Sequence, residues 1–270
     1  MRPRIGRAIG LLLWLGAMAV PAAAAVPCGG NFATWLQGVK QEAAAQGISQ
    51  RTIRSALGTI AYDPTIIARD HAQGVFQQSF AEFAGRMVPP RLAEGRRLLR
   101  RYRPLFDRIE RQFGVPGPVL VAIWGLETSF GADDGNFPTI RALATLGYDC
   151  RRADKFRTEL LDALRIVDRG DMSAAQMHGA WAGEIGQTQF LPSSYLKFAV
   201  DYDGRGRRDL IHSVPDVLAS TANYLKGHGW QPGQPWGEGT ANFQVLQQWN
   251  ASEVYTKTVA YFAQELAAAQ

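Results

Sequence analysis

The chain has 270 residues, 46% of them hydrophobic and 20% charged, and a formal net charge of +5. Arg2, Arg4 and Arg7 sit in a basic leader, and removing those three charges takes +5 to +2, so the sequence pI of 9.4 overstates the basicity of the remaining chain. That leaves little electrostatic support for nucleic-acid binding, and two cysteines with His71, His178, His212 and His228 show no zinc-ligand spacing.

From the N-terminus, the three arginines precede an apolar stretch from Ile9 to Val20, then Pro21 and the small residues Ala22 to Ala25. Basic, apolar and small-residue regions come in the order of a secretory signal, so residues 1–25 are expected to be cleaved near Ala24 or Ala25. The apolar stretch is shorter than the ~20 residues that cross a bilayer, and no later segment is long and apolar enough. The expected product is an exported, soluble chain without a stable membrane anchor. Pro27 does not suit lipidation of Cys28. In an oxidising compartment Cys28 and Cys150 are expected to pair, the alternative being two unrelated thiols.

Residues 26–270 suffice for one large domain. Helical periodicity appears at Trp35–Ala45, Gln50–Leu57, Gln73–Met87, Ala93–Phe113, Pro118–Glu127, Ala153–Val167, Pro192–Ala199, Pro215–Lys226 and Ser252–Ala268. Ser213 is placed to cap the helix near Pro215, and Gly170 and Gly227 to end theirs. Arg96, Arg97, Arg100, Arg101 and Arg103 cluster within one predicted helix and read as its solvated face. Asp201 to Ile211 and Gln231 to Asn242 read as glycine-rich loops or short hairpins, in a mainly α-helical globule with few strands. Trp35, Trp124 and Trp230 read as packing residues, and Tyr261, Phe262 and Leu266 as the buried stripe of the last helix.

Two stretches carry chemistry. Glu127 closes the apolar run Val119-Leu120-Val121-Ala122-Ile123-Trp124-Gly125-Leu126, and on a helix it shares a face with Leu120, Ile123 and Trp124. Apolar surroundings and the negative end of a helix both disfavour its charged form, which keeps a carboxyl protonated for use as a general acid. The alternative is a partly exposed glutamate ending the helix. The second stretch, Trp181-Ala182-Gly183-Glu184-Ile185-Gly186-Gln187-Thr188-Gln189-Phe190-Leu191-Pro192-Ser193-Ser194-Tyr195, offers neutral donors and acceptors. That suits a sugar, with Trp181, Phe190 and Tyr195 available to cover pyranose faces. Ser193 and Ser194 read as capping the following helix. A two-carboxylate glycosidase needs a partner acid, for which Glu184 is the best candidate.

Taken together, Ile123 to Gly131, Trp181-Ala182-Gly183 to Pro192-Ser193-Ser194-Tyr195, Ala222-Asn223-Tyr224-Leu225 with His228-Gly229-Trp230, and Trp249-Asn250-Ala251-Ser252 with Tyr255 resemble the lytic murein transglycosylase B family. The resemblance runs in order from about Phe32 to the C-terminus. It implies a periplasmic enzyme with a lysozyme-like helical fold, extra N-terminal helices and a core over about 103–270. It also implies cleavage of the β-1,4 bond from MurNAc to GlcNAc in peptidoglycan strands without water, leaving 1,6-anhydro ends. Glu127 matches the catalytic glutamate; Gln189, Tyr224, Trp249, Asn250 and Tyr255 match residues of the glycan groove. No cofactor and no further partner is implied.

Departures accompany the matches. Ala180 stands where many relatives have serine, and Trp249 where a tyrosine is common, which keeps a stacking ring but loses a hydroxyl. Asp201, Asp203 and Asp216 resemble a calcium loop, but Arg205 occupies a ligand position and is expected to pair with Asp201 or Asp203 instead. Asn250 also reads as an N-cap of the last helix. A hydrolytic muramidase and a non-catalytic glycan-binding protein are the competing functions.

Overall fold

A computed structural model describes residues 26–72 and 78–268; the expected signal peptide lies outside them. Among the described residues the helices are α1 (Phe32–Ala45), α2 (Gln50–Leu57), α3 (Pro64–His71), α4 (Phe80–Met87), α5 (Pro89–Arg101), α6 (Arg103–Phe113), α7 (Gly117–Thr128), α8 (Thr139–Tyr148), α9 (Ala153–Asp168), α10 (Pro192–Phe198), α11 (Val214–Gly227), α12 (Ala241–Trp249) and α13 (Glu253–Ala267). The sheet is one antiparallel pair, β1 (Phe137–Pro138) with β2 (His178–Gly179), in register Phe137 opposite Gly179. Asp201 to Ile211 forms a loop, not a hairpin.

Caps and prolines set most boundaries. Ser79 and Glu82 form a reciprocal capping box that starts α4, while residues 73–77 of the longer predicted helix lie outside the described residues. The predicted helix Ala93–Phe113 is two helices hinged at Tyr102: Pro104 lacks the N–H that would continue the ladder, and its ring suits the first turn of α6. Ser213 caps α11 as expected, its hydroxyl accepting the Asp216 N–H at 3.3 Å.

Helix α7 is the axis of the molecule. Every residue from Gly117 to Leu126 is buried, the mark of a helix enclosed on all sides; α13, α5, α6 and α11 pack around it. Phe262 and Leu266 of α13 are buried against this core, but Tyr261 is 39% exposed, its ring edge-on to Phe80 at 6.1 Å. Its expected place in the buried stripe is therefore corrected: it lies one position outside the face that α13 turns to α7. Trp35, Trp124 and Trp230 are core residues. Cys28 and Cys150 form a disulfide with Cα atoms 5.2 Å apart, and Gly29 N–H donates to the Tyr148 carbonyl at 3.0 Å, so the N-terminal segment is stapled to the end of α8. No described helix is long and apolar enough to cross a membrane.

Candidate active site

Glu127 occupies the last turn of α7, and the way that helix ends fixes where its carboxyl points. Ser129 and Phe130 adopt left-handed φ values of 50° and 65°, turning the chain so that the Phe130 ring folds back on Gly125. A Cβ at Gly125 would sit 2.7 Å from that ring, so only glycine permits the turn. Arg91 of α5 closes the end, donating from Nε to the Gly125 carbonyl at 2.8 Å and from Nη2 to Ser129 Oγ at 2.9 Å. The Gly125 carbonyl thus accepts two donors, since the Ser129 N–H also reaches it at 3.1 Å.

The Glu127 carboxyl is half-buried and held by one oxygen. Oε1 accepts the Trp249 indole N–H at 2.8 Å and the Tyr255 hydroxyl at 2.6 Å; Oε2 has no hydrogen-bond partner among the described residues. Burial raises the pKa to about 7, against the lowering effect of the two donors, and the nearby Glu184 carboxyl adds to the rise. Tyr255 is pushed well above the ordinary phenol range, chiefly by burial, so it stays a donor. The arrangement can deliver a proton near neutral pH and take one back.

Glu127 opens on a cleft of about 440 Å³ lined by Glu184, Gln189, Phe190, Tyr224, Trp249 and Asn250. Glu184, Gln189 and Phe190 belong to a tight loop in which Ile185 pairs with Phe190 through 2.8 and 3.0 Å backbone bonds, and Gly183 and Gly186 take φ values of 91° and 70°. Gln189 is itself left-handed, with φ 54°. Its amide accepts the Ala180 N–H at 3.0 Å and donates to the Asp134 and Gly186 carbonyls at 2.9 and 2.7 Å. The Tyr224 hydroxyl donates to the Gln248 carbonyl at 2.6 Å, and its ring meets Trp249 edge-on at 4.9 Å and Phe190 edge-on at 5.9 Å.

The family model for the transglycosylase SLT domain matches residues 31–241. The chain belongs to this family. It is 36% identical, over 148 residues, to the "Membrane-bound lytic murein transglycosylase B" of Escherichia coli (strain K12); the match covers 54% of this chain and 41% of that protein, so it spans less than half of the relative's length. Among solved structures it is similar to SltB3 from Pseudomonas aeruginosa in complex with NAG-NAM-pentapeptide, with TM-score 0.84 and 30% identity over 88% of this chain and 80% of that one. The same protein in complex with NAG-anhNAM-pentapeptide gives TM-score 0.83 and 31% identity, with the same coverage. The lysozyme-like helical fold expected from the sequence is that of the SLT family.

Gln189, Tyr224, Trp249 and Asn250 line the cleft with Glu127, and Tyr255 bonds Glu127, though several residues differ from expectation in what they touch, and Trp181 does not line the cleft. Trp249 does more than offer a ring: its indole N–H donates to Glu127 Oε1. Asn250 is not the N-cap of α13; Ser252 is, and Asn250 Oδ1 accepts the Ser252 N–H at 2.9 Å while the residue lines the cleft. Tyr195 is fully buried, its hydroxyl donating to the Arg208 carbonyl at 2.6 Å, and so covers no ligand. Ser193 does not cap α10 but binds Glu159 through Oγ at 2.7 Å, whereas Ser194 faces the cleft. Glu184 lines the same cleft as Glu127 and makes no ion pair among the described residues.

Sequence reasoning missed Arg91, Gln187 and Lys155. Gln187 accepts the Trp124 indole N–H at 2.9 Å, and its carbonyl accepts the Thr128 hydroxyl at 2.6 Å, which ties α7 to the loop wall. Its place in the glutamine-rich loop was the available signal. Lys155 of α9 reaches the cleft only through the fold. Outside the cleft lining, Asp201, Asp203 and Asp216 each bring a carboxylate oxygen within 4.8 Å of the others. Arg205 Nε lies 3.1 Å from Asp203 Oδ2, and Asp216 accepts the Tyr202 and Asp209 N–H groups at 2.7 and 2.9 Å.

Proposed function

We propose that this chain is an exported, periplasmic lytic transglycosylase that cuts the β-1,4 bond between MurNAc and GlcNAc in peptidoglycan and leaves 1,6-anhydro-MurNAc ends. The observation that carries the reading is the Glu127 carboxyl, neutral up to about pH 7, fixed through one oxygen and with the other left for a ligand in the cleft. Glu127 protonates the glycosidic oxygen as the bond to C1 breaks. The carboxylate so formed then takes the proton of the MurNAc C6 hydroxyl, whose oxygen closes on C1. Tyr255 and Trp249 stabilise that carboxylate between the two steps, each hydrogen bond to a charged oxygen being worth about 1.5–3 kcal/mol.

Membership in the SLT family supports the reaction class, and the SltB3 complexes with NAG-NAM-pentapeptide and NAG-anhNAM-pentapeptide support a saccharide of the same kind in this cleft. Gln189 shapes the cleft, and Tyr224, Trp249 and Asn250 give it an apolar and hydrogen-bonding surface for sugar rings. In this reading residues 26–270 form the catalytic domain around a core over about 103–270, and no cofactor takes part. Calcium fits the Asp201, Asp203 and Asp216 cluster poorly, because the Arg205 guanidinium already supplies a positive charge and backbone N–H groups already occupy the carboxylates. Mass spectrometry of digested sacculi tests the reading. Wild-type protein is expected to release anhydro-muropeptides and Glu127→Gln, still folded, none; reducing MurNAc ends from the wild type would make it a hydrolase instead.

A further inference from the structure

Most polar side chains of the cleft are already engaged within the protein. Both ends of the Gln189 amide go to the loop backbone, the Tyr224 hydroxyl to Gln248, and the Trp249 and Tyr255 donors to Glu127. Glu184 is different. Its Oε2 accepts the Ala182 N–H at 3.0 Å, and its backbone carbonyl accepts the Thr139 hydroxyl at 3.2 Å, while Oε1 has no partner among the described residues. The side chain is therefore anchored at one oxygen, on a loop braced by the Ile185 to Phe190 pairing, and presents an acceptor to the space that Glu127 also faces. Burial raises the Glu184 pKa, against the lowering effect of the backbone N–H groups of Glu184 and Ala182 and of Lys155 of α9 and Arg152 just before that helix.

We propose that Glu184 is a second working carboxylate of this cleft, whose open oxygen accepts the N–H of the 2-acetamido group on the MurNAc whose glycosidic oxygen Glu127 protonates. The proposal rests on the transglycosylase reading. An ionised carboxylate is an acceptor only, and the acetamido group brings one donor to it. Polarised in that way, the acetamido carbonyl oxygen becomes the better electron donor towards C1. Glu127 gives its proton to the leaving oxygen, which keeps the electron pair of the broken bond, and the carbonyl oxygen supplies a pair to C1. The amide proton stays shared with Glu184. The C6 oxygen then displaces the carbonyl oxygen at C1, and the C6 proton passes to Glu127. No water is consumed, and Glu184 neither gains nor loses a proton overall.

The test measures kcat and KM for wild type and Glu184→Gln on glycan strands carrying N-acetyl or N-trifluoroacetyl groups, with melting temperature as a check of folding. In the wild type, the electron-poor trifluoroacetyl group is expected to lower kcat by at least about tenfold; in Glu184→Gln, kcat on the N-acetyl strand is expected to fall about 10²-fold, the scale of losing one preorganised electrostatic partner. KM stays within about threefold and the trifluoroacetyl penalty shrinks. A structural role alone would move the melting temperature and leave that penalty intact. The proposal is overturned if Glu184→Gln keeps its kcat, or if the penalty is absent in the wild type, a comparison that needs no variant to fold. Wild-type digests without anhydro ends would instead defeat the transglycosylase reading itself.

Discussion

Two opposed influences meet on the Glu127 carboxyl: burial favours the protonated form and the Tyr255 and Trp249 donors favour the ionised one. The acid form starts the reaction, so activity should fall as pH rises through about 7. Tyr255→Phe removes a donor that stabilises the charged form, so the Glu127 pKa rises and the basic limb of the pH–rate profile should move up by about one pH unit, with kcat down about tenfold. A basic limb that stays in place would mean that Tyr255 does not act on Glu127. The acid was legible in the sequence because a carboxyl at the end of eight apolar residues needs a reason. Its donors were legible only as members of a motif: Trp249 lies 122 residues away, and nothing local shows where an indole N–H points.

An active-site helix is only as well placed as its ends. The Gly125 carbonyl at the end of α7 accepts from Arg91, which also holds Ser129, so Arg91→Met should cost about 1–3 kcal/mol in denaturant unfolding, by removing charge-assisted hydrogen bonds. Cleavage should fall as well, because the Glu127 turn loosens; a variant as stable and as active as wild type would remove Arg91 from this role. Helix boundaries were legible where a cap precedes a periodic run, as at α2 and α11, but α3 went unread despite its Asp63 cap and Pro64, because it buries only Ile66 and Asp70 and shows no apolar stripe. The α5–α6 break was overlooked because leucine spacing continues across Pro104. Helix α8 went unread because it is buried nearly all round and mixes Ala, Thr and Gly, which leaves no polar face to set a period. The cap that starts α12, Thr240 accepting the Phe243 N–H at 3.2 Å, lay inside a stretch whose glycines and prolines read as loop.

Across the whole molecule, the cleft is assembled from the end of α7, the loop before α10, α9, α11 and the α12–α13 junction. The order of these motifs was legible and the fold class followed from helical periodicity, but their meeting depends on long-range packing about α7 that no local pattern encodes. The disulfide of Cys28 and Cys150, which closes 122 residues, was legible from cysteine count and compartment alone. The central claim is that one carboxyl serves as acid and then as base while the C6 hydroxyl of the substrate takes the place of water. Digestion of sacculi in heavy-oxygen water tests it most directly: the products are expected to carry no label at C1 of MurNAc, and label at that carbon would contradict the account.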